Sequence, residues 1–113
     1  MSLDFTLYMD VDTGGSEPYH IELFDANITH NLSHMAREAG LYDTLWNPPL
    51  NTNADSLIPD MSAGLNILES RPQHFKKWDS PNGWGRYENL VNFTKRCLAA
   101  CKEHPKAKVY IST

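Results

Sequence analysis

Two stretches of alternating apolar and polar residues near the N-terminus constrain the fold of this chain more than any other feature. In residues 3–11 (LDFTLYMDV) every odd-numbered residue is apolar, and in residues 19–23 (YHIEL) the same alternation returns with Tyr19, Ile21 and Leu23. A period of two is typical of a strand that buries one face. Glycines between the stretches tolerate the positive φ of a tight turn. We therefore predict an antiparallel hairpin whose odd-numbered residues face the core.

The even-numbered residues form the outward face of this hairpin, and a further alternating stretch, residues 106–112, adds a closing strand. A turn near Gly14 brings Asp10 and His20 close together on that face. Such a face can bind a polar partner, or it can simply be the solvated side of the sheet. The polar residues assigned to it are Tyr8, Asp10, His20, Glu22, Lys108 and Tyr110.

Between the hairpin and the closing strand, apolar residues recur at helical spacing. The first stripe begins at Ile28, after a potential N-cap at Asn27, and it ends at Gly40, a potential C′ glycine. Pro59 is compatible with the next helix because we place it in the first turn. The predicted helices span residues 28–39, 55–70, 72–78 and 87–103, with a possible extra turn at 41–46.

These elements predict an α+β fold. A three-stranded antiparallel sheet, made of the N-terminal hairpin and the C-terminal strand, packs in two layers against three to four helices. The 113 residues, of which 41% are hydrophobic, are sufficient for one domain, residues 1–113, with its own core. An unpaired strand edge also makes a homodimer possible.

Charge and composition exclude several classes of function. A formal net charge of −4 offers no basic surface for a phosphate backbone, so we expect no nucleic-acid partner. No apolar run reaches the length of a membrane span, and the first residues lack the cationic start of a signal peptide. We therefore expect a cytosolic protein with no membrane partner.

Two predicted helix starts are rich in polar side chains. Asn27, Thr29 and Asn31 precede the first helix, and the turn at residues 82–87 (NGWGRY) precedes the last one. Such side chains cap helices, and free N–H groups at a helix start also attract anions. If the two starts converge, they form a pocket for a nucleotide-like or other small anionic ligand. The turn contributes Asn82, Trp84, Arg86 and Tyr87 to that prediction.

His30 and His34 lie four residues apart, the spacing with which two imidazoles on a helix can hold one metal ion. The pattern lacks a glutamate between them and a nearby third ligand, which would have to be Asp10, Asp12 or His20. Two surface histidines on the polar face of a helix are the preferred explanation of the spacing. We predict no metal and no cofactor, and we assign both histidines to ligand binding.

No arrangement of residues indicates catalysis. Cys97 and Cys101 lie on one face of the last predicted helix and are best explained as packed core thiols. No serine occupies a nucleophile elbow, and the carboxylates do not pair as a general acid and base. We therefore expect a protein that is not an enzyme.

Four segments resemble a group of small proteins encoded by bacteriophages and prophages: YMDVDTGG (residues 8–15), ELFDANITHNL (22–32), NGWGRYE (82–88) and LAACKEHPKAKV (98–109). The resemblance covers most of the chain except residues 48–59. It implies an accessory role in the host cytoplasm, and it assigns no catalytic residue.

Three functional hypotheses follow. The first is a phage-encoded, non-catalytic binding protein that engages a host protein or a small anionic ligand and modulates the host. The second is a metal-dependent enzyme that uses His30 and His34. The third is a minor structural or assembly protein of the virion.

Overall fold

The computed structural model describes residues 2–113, and its centre is a sheet of three antiparallel strands. Strand β1 (Ser2–Val11) pairs with β2 (Tyr19–Thr29) on one side and with β3 (Lys108–Ser112) on the other, which gives the order β2-β1-β3. The hairpin register places Asp10 opposite His20, as predicted. The α+β fold with an N-terminal hairpin and a closing C-terminal strand is confirmed.

Strand β2 contains a β-bulge and continues beyond its predicted end at Leu23. Leu7 lies opposite Phe24, whereas the next residue, Tyr8, lies opposite Glu22, so Leu23 is the extra residue. A bulge moves the inward positions from odd to even numbers, and the core-facing residues after it are Phe24, Ala26 and Ile28.

The longer strand overturns the prediction that Asn27 caps a helix. Asn27 lies inside β2 opposite Asp4, and the cap is Thr29, whose hydroxyl accepts a hydrogen bond from the Asn31 N–H at 3.3 Å. A 3₁₀ turn (His30–Leu32) and helix α1 (Ser33–Glu38) follow. The chain then passes Gly40 at φ +75°.

Four more helices complete the helical layer: α2 (Tyr42–Trp46), α3 (Ala54–Ser70), α4 (Pro72–Lys76) and α5 (Tyr87–Glu103). Pro59 is the sixth residue of α3, so its predicted place in the first turn was wrong. Gly64 of α3 has a packing role, because a Cβ there would lie 2.4 Å from the buried Leu41 side chain.

The core lies between the sheet and helices α3 and α5. Leu3, Phe5 and Leu7 of β1 are fully buried. Burial of each such side chain contributes roughly 1.5–3 kcal/mol to folding. The predicted inward face of α5 is also confirmed, since its buried side chains include Tyr87, Leu90, Val91, Thr94, Cys97, Leu98 and Cys101.

The far end of the hairpin departs from the predicted pattern. Met9, Tyr19 and Ile21 share the odd-numbered face, but 43%, 64% and 39% of their surfaces are exposed. The helical layer ends before it reaches them, so alternation alone did not guarantee burial. None of the helices described in residues 2–113 is long and apolar enough to cross a membrane.

Candidate functional site

The end of β2 and the loop before α5 enclose a cleft of about 920 Å³. The two segments are far apart in sequence, and the fold brings them together, which was the condition that we set for a shared pocket. Ile28 is the aliphatic residue of the lining, and the other lining residues are polar, glycine or aromatic. The lining residues are Ser2, Asn27, Ile28, Thr29, His30, Asn31, Gly83, Trp84, Gly85 and Asn89.

Two contacts hold the walls of the cleft together. The side-chain Nδ2 of Asn31 donates a hydrogen bond to the Trp84 carbonyl oxygen at 3.0 Å. Gly85 packs so closely on the opposite wall that a Cβ there would lie 3.0 Å from Thr29 Cγ2 and 3.2 Å from Asn31 Cβ. With φ +105°, this position also favours glycine conformationally. The cleft is therefore built into the fold.

The loop at residues 80–85 fixes the position of Trp84. Asn82 Oδ1 accepts a hydrogen bond from the Trp84 N–H at 3.0 Å, and the Ser80 N–H donates to the Gly85 carbonyl oxygen at 3.1 Å. The loop backbone is thus held, while 70% of the Trp84 surface is exposed. The exposed indole of Trp84 extends from this fixed backbone and offers a flat apolar face to a ligand.

The N-terminus of α5 is already satisfied by the chain itself. Asp79 Oδ1 accepts a hydrogen bond from the Tyr87 N–H at 2.6 Å, and Asn89 Oδ1 accepts one from the Arg86 N–H at 2.9 Å. The Asp79 carboxylate therefore occupies the position that we expected an external anion to take. An anionic ligand would have to rely on side chains instead.

The side chains of the cleft are suited to such a ligand. Among the described residues that line it, none is Asp or Glu, although the protein carries a net charge of −4. A neighbouring recess of about 210 Å³ shares Asn27, Ile28 and Asn89 with the cleft and adds Arg96. Arg96 gives the combined surface a guanidinium and His30 an imidazole, and no carboxylate among the described residues lines either part.

The residues predicted to bind a ligand divide into three groups, and the largest of them lies at the cleft. Asn27, Thr29, His30, Asn31 and Trp84 all line the cleft, and Asn82 shapes the loop behind it. The sequence interpretation missed five lining residues: Ser2, Ile28, Gly83, Gly85 and Asn89.

Three other predicted residues lie outside the cleft lining. Tyr87 is buried, and its hydroxyl donates a hydrogen bond to the Leu68 carbonyl oxygen at 2.7 Å, which gives it a packing role. Arg86 lies beside the loop, with its guanidinium near Gly83. The His34 ring packs edge-on against Trp78 at 4.8 Å.

The outward sheet face joins the remaining predicted residues. Asp10 contacts the His20 ring and accepts a hydrogen bond from Lys108 Nζ at 2.8 Å. The hydrogen bond from Lys108, and next the one from His20, lower the pKa of the Asp10 carboxyl below its ordinary value. Tyr8 lies edge-on to His20, with 5.5 Å between the ring centroids.

Metal binding and thiol chemistry gain no geometric support. In residues 2–113 no group of three or more His, Cys, Asp or Glu side chains is placed to hold a metal ion. His34 Nε2 instead lies 3.8 Å from a Glu38 carboxylate oxygen. Cys97 and Cys101 are free and buried, and burial raises the pKa of both thiols, that of Cys101 to about 11.

Comparison of the chain with protein-family models, with curated proteins and with solved structures gave no match. The geometry of the cleft and of the sheet face therefore carries the functional argument.

Proposed function

We propose that this chain is a non-catalytic binding protein, and that its cleft binds a small anionic ligand with a planar ring, such as a nucleotide. The observation that carries the proposal is the absence of carboxylates from the described lining of a cleft of about 920 Å³ in an acidic protein. Clefts of this size accommodate small-molecule ligands.

Trp84 and the asparagines supply the recognition of the ring. The exposed indole of Trp84 provides a face on which a heteroaromatic ring stacks. The amide of Asn27, which has both donor and acceptor atoms, is suited to the polar edges of such a ring. The Arg96 guanidinium attracts the anionic part of the ligand, and the His30 ring nitrogens can form hydrogen bonds with it.

The resemblance to phage and prophage proteins supports the cellular context of the proposal. In that context the chain acts as an accessory protein in the host cytoplasm, where it sequesters or senses a small ligand and so modulates the host. The burial of Cys97 and Cys101, which raises the pKa of both thiols, supports a non-catalytic role.

Isothermal titration calorimetry with AMP, adenosine and inorganic phosphate tests the proposal. We expect one AMP per chain, bound more tightly than either fragment, because only AMP engages Trp84 as well as His30 and Arg96. Trp84→Ala should weaken binding about tenfold or more, since base stacking contributes about 1–3 kcal/mol. The matched control is Tyr19→Ala, which removes another exposed aromatic ring far from the cleft residues in sequence.

Equal affinity of the wild type and Trp84→Ala would contradict this function. A second contradiction would be two results together: no saturable AMP binding, and only the bare protein in native mass spectra recorded after mixing with a deproteinised cell extract. An added mass of nucleotide size in that spectrum would identify the ligand directly.

A further inference from the structure

A second concave surface lies on the outward face of the sheet. Its volume is about 350 Å³, and its lining consists of Thr6, Tyr8, His20, Glu22 and Tyr110. It shares no lining residue with the cleft. Three of its five side chains are aromatic rings and one is a carboxylate, a composition quite different from that of the cleft.

The strand register explains why these residues meet. Tyr8 lies opposite Glu22 of β2, and Thr6 lies opposite Tyr110 of β3. Because β1 is the central strand, these four side chains stand on one face in two adjacent rows. The planes of the His20 and Tyr8 rings meet at 87°, so the two rings line the concavity edge to face.

The charges of this face leave Glu22 without compensation. Lys108 and His20 both contact Asp10, so the two basic side chains of the face are directed to that carboxylate. Glu22 forms no ion pair among residues 2–113, and Asp25 adds a further carboxylate, which accepts a hydrogen bond from Thr6 at 2.8 Å. The concavity therefore has an excess of negative charge.

Aromatic faces and an uncompensated carboxylate attract the same kind of ligand. The π face of a tyrosine ring is electron-rich and attracts an ammonium group, and a nearby carboxylate strengthens this attraction. We propose that this concavity binds an alkylammonium group, and that its ligand is a lysine side chain, methylated or not, presented by a basic peptide. Tyr8 and Tyr110 surround the ammonium group, and Glu22 pairs with its charge.

NMR titration of the isotope-labelled full chain tests this site with three probes. These are N-acetyl-lysine methylamide, its trimethyl-lysine counterpart and the uncharged N-acetyl-norleucine methylamide. We expect saturable shifts at Tyr8, His20, Glu22 and Tyr110 with both charged probes and none with norleucine. Trp84→Ala should leave these shifts unchanged, because Trp84 is not part of this lining.

Glu22→Gln provides the decisive variant, because Glu22 is exposed and its neutralisation leaves the core intact. We expect it to weaken lysine binding about threefold to tenfold, as loss of a partly exposed charge partner does. Glu17→Gln is the matched control: it removes the same charge from an exposed turn and should leave the affinity unchanged. Tyr8→Phe should retain binding, because it keeps the ring.

Three outcomes would overturn the proposal. One is equal binding of the norleucine probe, which would show that charge is not recognised. Another is an equal effect of Glu22→Gln and Glu17→Gln on the affinity, which would show that the probe responds to the net charge of the protein and not to Glu22 itself. The third is binding of tetramethylammonium or choline without binding of either lysine probe, which would assign the surface to a free small amine instead of a peptide.

Discussion

Gly85 is the residue on which the geometry of the cleft depends most directly. It combines φ +105° with close contacts to Thr29 and Asn31 on the opposite wall. We expect Gly85→Ala to lower the free energy of unfolding by about 1–3 kcal/mol, since a non-glycine residue is strained there and its Cβ pushes the walls apart. Urea denaturation measures this loss, and AMP titration should show weaker binding.

Gly14→Ala is the control for this prediction. Gly14 also has a positive φ, +84°, but nothing lies within 4 Å of its Cβ position. It should therefore suffer only the conformational strain and keep AMP affinity. If both variants lose equal stability and both bind AMP normally, the close approach at Gly85 does not shape the cleft.

Asp10 gives the stability of the protein a defined acid dependence. Its pKa is lowered in the folded protein, chiefly by Lys108 and then by His20, so the folded state binds fewer protons than the unfolded state near pH 4. The contribution of Asp10 to stability is present above its ordinary pKa of 3.8 and is lost as the pH falls through the lowered folded value.

The difference in unfolding free energy between the wild type and Asp10→Asn should therefore shrink as the pH falls below about 4. Urea unfolding at a series of pH values measures it. Glu17→Gln, at an exposed position without an ion pair among the described residues, should show no such convergence. A difference that stays constant down to pH 2 would contradict the assignment.

At the scale of elements, the alternating pattern was sufficient to predict the hairpin but not its full length. The sequence YHIEL changes phase at Leu23 because of the bulge, so the inward residues Phe24, Ala26 and Ile28 no longer continue the odd-numbered pattern. In the sequence alone, the interruption of the alternation at a bulge cannot be distinguished from the end of a strand. For this reason we predicted that Asn27 is the N-cap of the first helix, whereas Thr29 fills that role.

The hairpin also separates two kinds of apolar residue that the sequence pattern cannot distinguish. Leu7 and Ile21 both occupy odd-numbered positions, but Leu7 is fully buried and Ile21 lies beyond the helical layer. We expect Leu7→Ala to cost about 2–5 kcal/mol and Ile21→Ala less than about 1 kcal/mol. Thermal and urea unfolding of the two variants, side by side, measure the contrast.

Similar losses for the two variants would mean that the far end of the hairpin is covered in solution. An oligomer that buries Met9, Tyr19 and Ile21 would produce this result, and it would agree with the homodimer expected from an unpaired strand edge. Sedimentation of the wild type at several concentrations would then detect the dimer.

At the scale of the whole molecule, the convergence of distant segments determines the cleft. Asn31 and Trp84 are 53 residues apart, and their hydrogen bond depends on how α5 packs against β2. The polar residues at each predicted helix start were visible in the sequence, but no local pattern encodes the distance between the two segments in the fold. Ser2 is the clearest example, because its place in the lining follows only from the pairing of β1 with the end of β2.

The cleft and the sheet concavity have opposite chemistry and are joined by β1. Ser2 lines the cleft and Thr6 lines the concavity, four residues along the same strand. At about 3.3 Å per residue these positions are roughly 13 Å apart, a separation at which effects of independent sites usually add. We therefore expect the two proposed ligands to bind without affecting each other.

Thermal unfolding with AMP, with N-acetyl-lysine methylamide and with both together tests this independence. A ligand at one hundred times its Kd stabilises the folded state by about 2.7 kcal/mol, and two independent ligands contribute the sum. Trp84→Ala should remove only the AMP increment, and Glu22→Gln should reduce only the lysine increment. A combined increment smaller than the sum would show that the sites compete or are coupled through the hairpin, because β1 and β2 both contribute residues to the two linings.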